Sequence, residues 1–221
     1  GFGKWRFLPE PSVEAFLTES SFDYLWGNHN GYDSIDVQYS REILFLRDGF
    51  WIIRDHFRSN TPHTYQQIWQ GDFQIGDDRR LYRRFLDPDV TLNIIQLLPA
   101  TYDISRGAFR EKKNTMVSHG GDAHFRFTTL LAVTTGSVLP GRDEPEGFLS
   151  ITEGWQLKFA PHTRFQLDDG RMVEGELLID HQGTEFWILG ARRIDGKVLS
   201  RAVDGTAAVY INVAGEIVRL H

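Results

Sequence analysis

His29, Tyr32, Tyr39, Arg41, Asp55 and His63 bring two imidazoles, two phenols, a guanidinium and a carboxylate into one stretch of the chain. A guanidinium grips a carboxylate with two parallel hydrogen bonds. Imidazole and phenol hydrogen-bond hydroxyls or pass protons. A plainer reading stands beside this one. Arg41 opens an apolar strand and Asp55 ends one, and residues so placed often pair only with each other or with a backbone group. Basic residues also gather at Arg79, Arg80, Arg83 and Arg84, and again at Arg110, Lys112 and Lys113. The first group is flanked by Asp77, Asp78, Asp87 and Asp89, which reads as a solvated hairpin; the second is evenly balanced between that and anion docking. The chain has no G-x-S-x-G, no phosphate-binding glycine loop and no H-E-x-x-H, and no spacing singles out a glycosidase carboxylate pair.

The elements that must hold these groups are strands. Ile35, Val37 and Tyr39 alternate with polar neighbours, and Glu42–Leu46 and Phe50–Ile53 are apolar runs across Asp48-Gly49. An Asp-Gly pair between apolar runs predicts a hairpin, because both residues tolerate positive φ. The signal recurs at Asp169-Gly170, Asp195-Gly196 and Asp204-Gly205, and more weakly at Ala214-Gly215. Strands are expected between these turns and at Thr64–Gln70, Val90–Leu98, His124–Thr134 and Trp155–Ala160. Many short strands at near-regular spacing predict a large antiparallel β-sandwich, all-β with minimal helix. One or two helical turns are expected over Ser12–Thr18, behind an N-capping Ser12. We read residues 1–221 as a single domain, with a subdivision near the Gly- and Pro-rich loop 136–147.

At 221 residues a substantial core is available without staples. The absence of cysteine excludes disulfides, thiolate metal sites and a cysteine nucleophile. A net charge of −6 gives no global reason to bind nucleic acid. No apolar run approaches the roughly 20 residues of a membrane span. The chain begins Gly1-Phe2-Gly3-Lys4, which reads as a domain taken from a longer protein. Most of the six tryptophans and sixteen phenylalanines are expected in the core; Trp26 and Trp155, beside glycines, are the candidates for exposure.

Five segments carry a resemblance: His29-Asn-Gly-Tyr32, Ser40-Arg41-Glu-Ile-Leu-Phe45, Phe50-Trp51-Ile-Ile-Arg54-Asp55, His63-Thr-Tyr-Gln-Gln-Ile-Trp69 and Phe127-Thr-Thr-Leu-Leu131. With the Asp48-Gly49 turn, they resemble the C-terminal β-sandwich of the heparinase II/III-like polysaccharide lyases. The wording covers Phe22 to about Leu131. The resemblance implies β-elimination on a uronic-acid polysaccharide such as a glycosaminoglycan or alginate. The cleft would lie between this sandwich and an N-terminal α/α-toroid, which carries the principal base and acid. It further implies substrate contact for His29, Tyr32, Tyr39, Arg41 and His63, and no catalytic residue in this chain alone.

Some relatives hold a structural zinc. Of its ligand positions only Asp55 survives: the first histidine falls on Gln38 or Tyr39 and the last on Gln70. A neutral amide is a poor replacement, so no metal or other cofactor is expected. His56 is no substitute, because strand alternation turns it to the face opposite Asp55. The expected partners are an acidic polysaccharide and the toroid of the same chain, without nucleic acid and without a membrane span, in the periplasm or outside the cell. A diverged, non-catalytic glycan-binding or scaffold domain is the alternative, and a free-standing carbohydrate-binding module is a third. Docking on a toroid predicts an apolar patch near Phe22–Tyr32 and the Phe50–Phe57 strand ends.

Overall fold

The computed structural model describes residues 8–47, 49–76, 80–86, 89–98, 101–109, 112–135, 147–151, 154–199 and 207–221. Asp48, Asp204-Gly205, Arg79, Arg110 and most of the 136–147 loop lie outside them. The chain forms two compact units: residues 1–96 with 100–136, and residues 137–221 with 97–99. Each is built on a large antiparallel sheet, and no α-helix occurs among the described residues. The all-β sandwich class expected from the strand rhythm is borne out.

In the first unit the strands are β1 (Pro11–Thr18), β2 (Phe22–His29), β3 (Val37–Leu46), β4 (Phe50–Gln70), β5 (Gln74–Ile75), β6 (Leu81–Leu86), β7 (Asp89–Gln96), β8 (Asp103–Phe109) and β9 (Lys112–Thr135). Their order is β1-β2-β3-β4-β9-β7-β6-β5, with β8 also on β9. The expected helix over Ser12–Thr18 is instead strand β1, paired from Pro11↔His29 to Thr18↔Asp23. Val13, Phe16 and Leu17 have helical spacing, but the backbone bonds offered by β2 outweigh local preference. Ser12 Oγ bonds Glu14 rather than capping a helix.

Strands β4 and β9 are long and folded back on themselves. Asp55 and Gln67 are both on β4 yet hydrogen-bond at 2.6 Å. Twelve extended residues span about 40 Å, so the strand must double over between them. The stacked rings of Phe57 and Tyr65, 4.6 Å apart, are centred on the same residue, 61. The break lies in the irregular pairing between Arg58 and His63, opposite Asp122 of β9. On β9 the bend passes through Gly121, whose φ of +100° disfavours any side chain. Tyr65, Phe73, Leu81, Ile94, Val117 and Phe127 fill the fold as its apolar core.

The second unit comprises β10 (Phe148–Ser150), β11 (Trp155–Gln166), β12 (Met172–His181), β13 (Glu185–Leu189), β14 (Arg193–Ile194), β15 (Lys197–Val198), β16 (Ala208–Ile211) and β17 (Ile217–Arg219). Phe165, Leu178, Phe186, Ile188, Val209 and Ile211 lie at the centre of its core. Asp195-Gly196 makes the expected turn with positive φ at both residues, 48° and 77°. At Asp169-Gly170 only the glycine is positive, at 88°, so that turn has another geometry.

Candidate functional site

Cross-strand register sets the site. Antiparallel partners share a face, and here the partners run His29↔Tyr39 and Gly27↔Arg41 between β2 and β3. Across to β4 they continue as Tyr39↔Phe57, Arg41↔Asp55 and Ile43↔Ile53. The first arm of β4 therefore presents Ile53, Asp55 and Phe57 beside Tyr39 and Arg41. The second arm lays Gln66, Gln67, Ile68 and Trp69 across from them. His29 and Tyr32 close the remaining side, and the whole set lines one cavity of about 200 Å³.

Asp55 is the hub. It is 1% exposed, and both of its oxygens are occupied. Oδ1 accepts from Tyr39 Oη at 2.6 Å and from Arg41 Nε at 2.6 Å. Oδ2 accepts from Arg41 Nη2 at 3.1 Å and from Gln67 Nε2 at 2.6 Å. Behind Gln67, its Oε1 accepts from Gln96 Nε2 at 2.8 Å and from Thr129 Oγ1 at 3.1 Å. A polar chain thus runs from the interior to the exposed guanidinium.

This arrangement orients Arg41. A guanidinium has five N–H donors in a rigid fork, and Asp55 takes the Nε side. Among the described residues nothing bonds the Nη1 side of the fork, which is left for a second anion, and the side chain is 47% exposed. Burial opposes the cation, but the hydrogen bonds and charge of Asp55 outweigh it and hold the Arg41 pKa above its ordinary value. Burial first, and then the Asp55 charge, drives the Tyr39 phenol far above its usual range. Tyr39 therefore retains its proton and donates it in the hydrogen bond to Asp55.

His29 is also fixed. Its Nδ1 accepts the Gly31 N–H at 3.0 Å, so the neutral ring carries its proton on Nε2. A Cβ at residue 31 would stand 2.9 Å from that Nδ1, which is why a glycine sits in this approach. The ring packs between Tyr32 and Tyr39, with centroids 5.2 and 4.6 Å away.

Four of the five expected contact residues, His29, Tyr32, Tyr39 and Arg41, are thus brought together, along with Asp55. His63 is not among the cavity-lining residues; its Nε2 lies 3.1 Å from Ser59 Oγ and 3.2 Å from Thr61 Oγ1, at the strand fold. Gln67 and Trp69 were not singled out from sequence. Pro62 within a strand-like run was the available signal that β4 breaks and returns. The expectation of exposed tryptophans fails: Trp26 is 6% and Trp155 is 3% exposed. Each sits in the inward alternation of a strand, and the glycines beside them open no route to solvent.

The opposite face of the adjoining rungs carries a second, buried ion pair. Glu42 and Arg54 are both fully buried, with Arg54 Nη1 2.6 Å from Glu42 Oε2 and Tyr24 Oη 3.0 Å from Oε1. His56 lies on this face, as alternation requires, with Nδ1 accepting from Arg126 Nε at 2.8 Å. Burial foremost, then the charges of Arg126 and Arg54, lowers its pKa to about 4, so the ring is neutral. Burial raises the Glu42 pKa, but the Arg54 charge, His56 and Tyr24 together hold it below the usual carboxylate range.

No protein-family model and no curated protein matches the chain. Solved structures do. A heparan sulfate lyase mutant from Pedobacter heparinus matches with a TM-score of 0.56 at 14% identity, over 89% of this chain and 28% of that one. The corresponding lyase without the mutation gives 0.55 at 12% identity, over 78% and 28%. A heparinase III gene product gives 0.52 at 11% identity, over 79% and 26%. The chain shares the fold of part of these lyases and spans little more than a quarter of their length.

Proposed function

We propose that this chain is the accessory β-sandwich of a polysaccharide lyase that cleaves a uronic-acid polysaccharide by β-elimination, and that its cavity forms one wall of the substrate cleft. The observation that carries the reading is the Arg41–Asp55 pair, which leaves one side of a fixed guanidinium fork facing a small cavity lined by His29, Tyr32 and Tyr39. A uronate carboxylate fits that fork bidentately. Donors from His29 Nε2 and Tyr32 suit sugar hydroxyls, and Trp69 and Tyr32 offer aromatic surface to a ring. At about 200 Å³ the cavity is below the roughly 300–1,000 Å³ of a drug-sized site, so it takes one sugar unit at a time.

The same geometry argues for binding rather than proton abstraction by this wall. Tyr39 holds its proton against Asp55, Asp55 is saturated with donors, and the lone pair of His29 Nδ1 is taken by Gly31. The base and acid then belong to a toroid on a longer chain. Phe16 and Val133, 68% and 46% exposed, with half-buried Leu25, Phe45, Trp51 and Ile53, offer that partner an apolar face. Zinc has no place in this reading. A cation at Asp55 would meet the Arg41 guanidinium, which lies 2.6 Å from the carboxylate. No described helix is long and apolar enough to cross a membrane. A polymeric substrate is met in the periplasm or outside the cell.

The pinned Tyr39 hydroxyl also favours the second reading, a non-catalytic glycan-binding domain of the same ancestry. A lyase assay separates the two. Ultraviolet absorbance of unsaturated product is followed with heparin, heparan sulfate, chondroitin, hyaluronan and alginate. Product from the longer protein but not from this chain supports the lyase reading. Silence from both, with glycan affinity retained, supports the second.

A further inference from the structure

We propose that the first unit carries another anion-binding site, formed by Arg83, Arg106 and Lys113 around Asp72, that takes a carboxylate or sulfate of an anionic polysaccharide. It rests on the polysaccharide reading above but uses none of the cavity residues. The three cations come from β6, β8 and β9, and only the fold brings them together. Lys113 Nζ lies 2.5 Å from Asp72 Oδ2. Arg106 Nη2 is 3.5 Å from the carbonyl oxygen of Phe73, the next residue. Arg83 Nη1 stands 3.4 Å from where a Cβ on Gly71 would lie. The Lys113 hydrogen bond foremost, with the charges of Lys113, Arg106 and Arg83, holds the Asp72 carboxyl below its ordinary pKa.

Among these four described side chains, three cations against one carboxylate leave an excess of two positive charges, on a chain whose net charge is −6. Stability does not account for this. Lys113 and Asp72 are 68% and 52% exposed, and exposed pairs contribute little. Arg83 is prepared for a ligand: its guanidinium lies 5.0 Å over the Phe85 ring, which restrains the planar fork. Asp72 follows Trp69 of the cavity wall by three residues, so a polymer seated in the cavity has a second anchor near the same strand end.

The test is the affinity of the chain for heparin, for polygalacturonate (carboxylate only) and for duplex DNA across a salt series. Variants are the triple substitution Arg83→Gln/Arg106→Gln/Lys113→Gln, Asp72→Asn, and Arg41→Gln in the cavity. We expect the triple variant to weaken heparin binding about tenfold or more and flatten its salt slope. Asp72→Asn, which removes the competing carboxylate, should tighten it. A matching response with polygalacturonate assigns the bound group as carboxylate; a response with heparin alone assigns sulfate, and both uphold the site. Heparin affinity unchanged by the triple variant and by Asp72→Asn overturns it, and if Arg41→Gln then abolishes binding, the cavity reading survives alone. Patch-dependent binding that Arg41→Gln leaves intact upholds this site while removing support from the cavity. Binding of DNA only, or of no polyanion, overturns the proposal.

Discussion

Asp55 and Gln67 sit on one strand, twelve residues apart, and are joined by a 2.6 Å hydrogen bond. That contact ties the two arms of the folded β4 together at the point where the cavity opens. Gln67 also accepts from Gln96 and Thr129, so its amide faces donors on one side and a carboxylate on the other. Leucine at this position matches the volume but removes one donor from the buried Asp55 carboxylate and the acceptor of Gln96 Nε2. Arg41 still serves Asp55, and Gln96 Oε1 still serves Thr129. A lost buried partner costs about 1–3 kcal/mol. Gln67→Leu should therefore lower stability by about 2–3 kcal/mol, read as a fall in the urea midpoint at constant slope. A neutral result would mean that Gln67 only fills space.

Arg41→Lys keeps the charge and loses the fork. A lysine ammonium reaches Asp55 as a point charge and presents no bidentate pair to a ligand. Arg41 is about half exposed, so the stability change should stay within about 1 kcal/mol. Affinity for a glucuronate-ended oligosaccharide should fall about tenfold or more, as measured by calorimetric titration. Equal affinity in the two proteins would show that charge alone serves, and that the orientation imposed by Asp55 has no part in binding.

Much of this site was legible because a strand has a period of two. Tyr39, Arg41, Asp55 and Phe57 fall on one face, and Glu42, Arg54 and His56 on the other, by alternation alone. The fold of β4 and β9 was not legible. The alternation of Thr64–Gln70 reads the same whether the arm continues a flat sheet or returns over it. Only the Ser59–His63 break and Gly121 mark the bend, and neither specifies its direction. Strand β1 failed differently: Val13, Phe16 and Leu17 satisfy a helical stripe, and pairing to β2 decides the outcome. Convergence of Arg83, Arg106 and Lys113 depends on the order of β6, β8 and β9, which no local signal encodes.

The largely enclosed His56, its side chain 11% exposed, makes the fold acid-sensitive. Its pKa is about 4 in the folded chain against an ordinary value of 6.5. Between these values the unfolded chain binds a proton that the folded chain refuses, so stability is full above about pH 6.5 and falls as the pH drops toward 4. The loss is on the order of 3 kcal/mol. Glu42, whose pKa is lowered from 4.5, adds a further loss below that value. His56→Gln, with an amide oxygen to accept from Arg126, should remove most of the loss between pH 6.5 and 4 and leave the lower one. Unfolding midpoints at half-unit pH intervals measure both; an unchanged profile in the variant would assign the sensitivity elsewhere.

Glu42 and Arg54 set the last test, because a buried ion pair is costly to break and cheap to replace. Both side chains are fully buried, so Glu42→Leu leaves the Arg54 cation without its carboxylate and should cost about 3–5 kcal/mol. Arg54→Met strands the Glu42 carboxylate with the Tyr24 hydroxyl and neutral His56 for company, and should cost a similar amount. The double variant removes both charges and keeps the volume. It should therefore recover most of the loss, and a double-mutant cycle should give a coupling of several kcal/mol. Since Arg41 and Asp55 occupy the opposite face of adjoining rungs, the double variant should bind a uronate-ended oligosaccharide as the parent does. Additive losses in the cycle would mean that Tyr24, His56 and Arg126, rather than the pair itself, hold these charges in the interior.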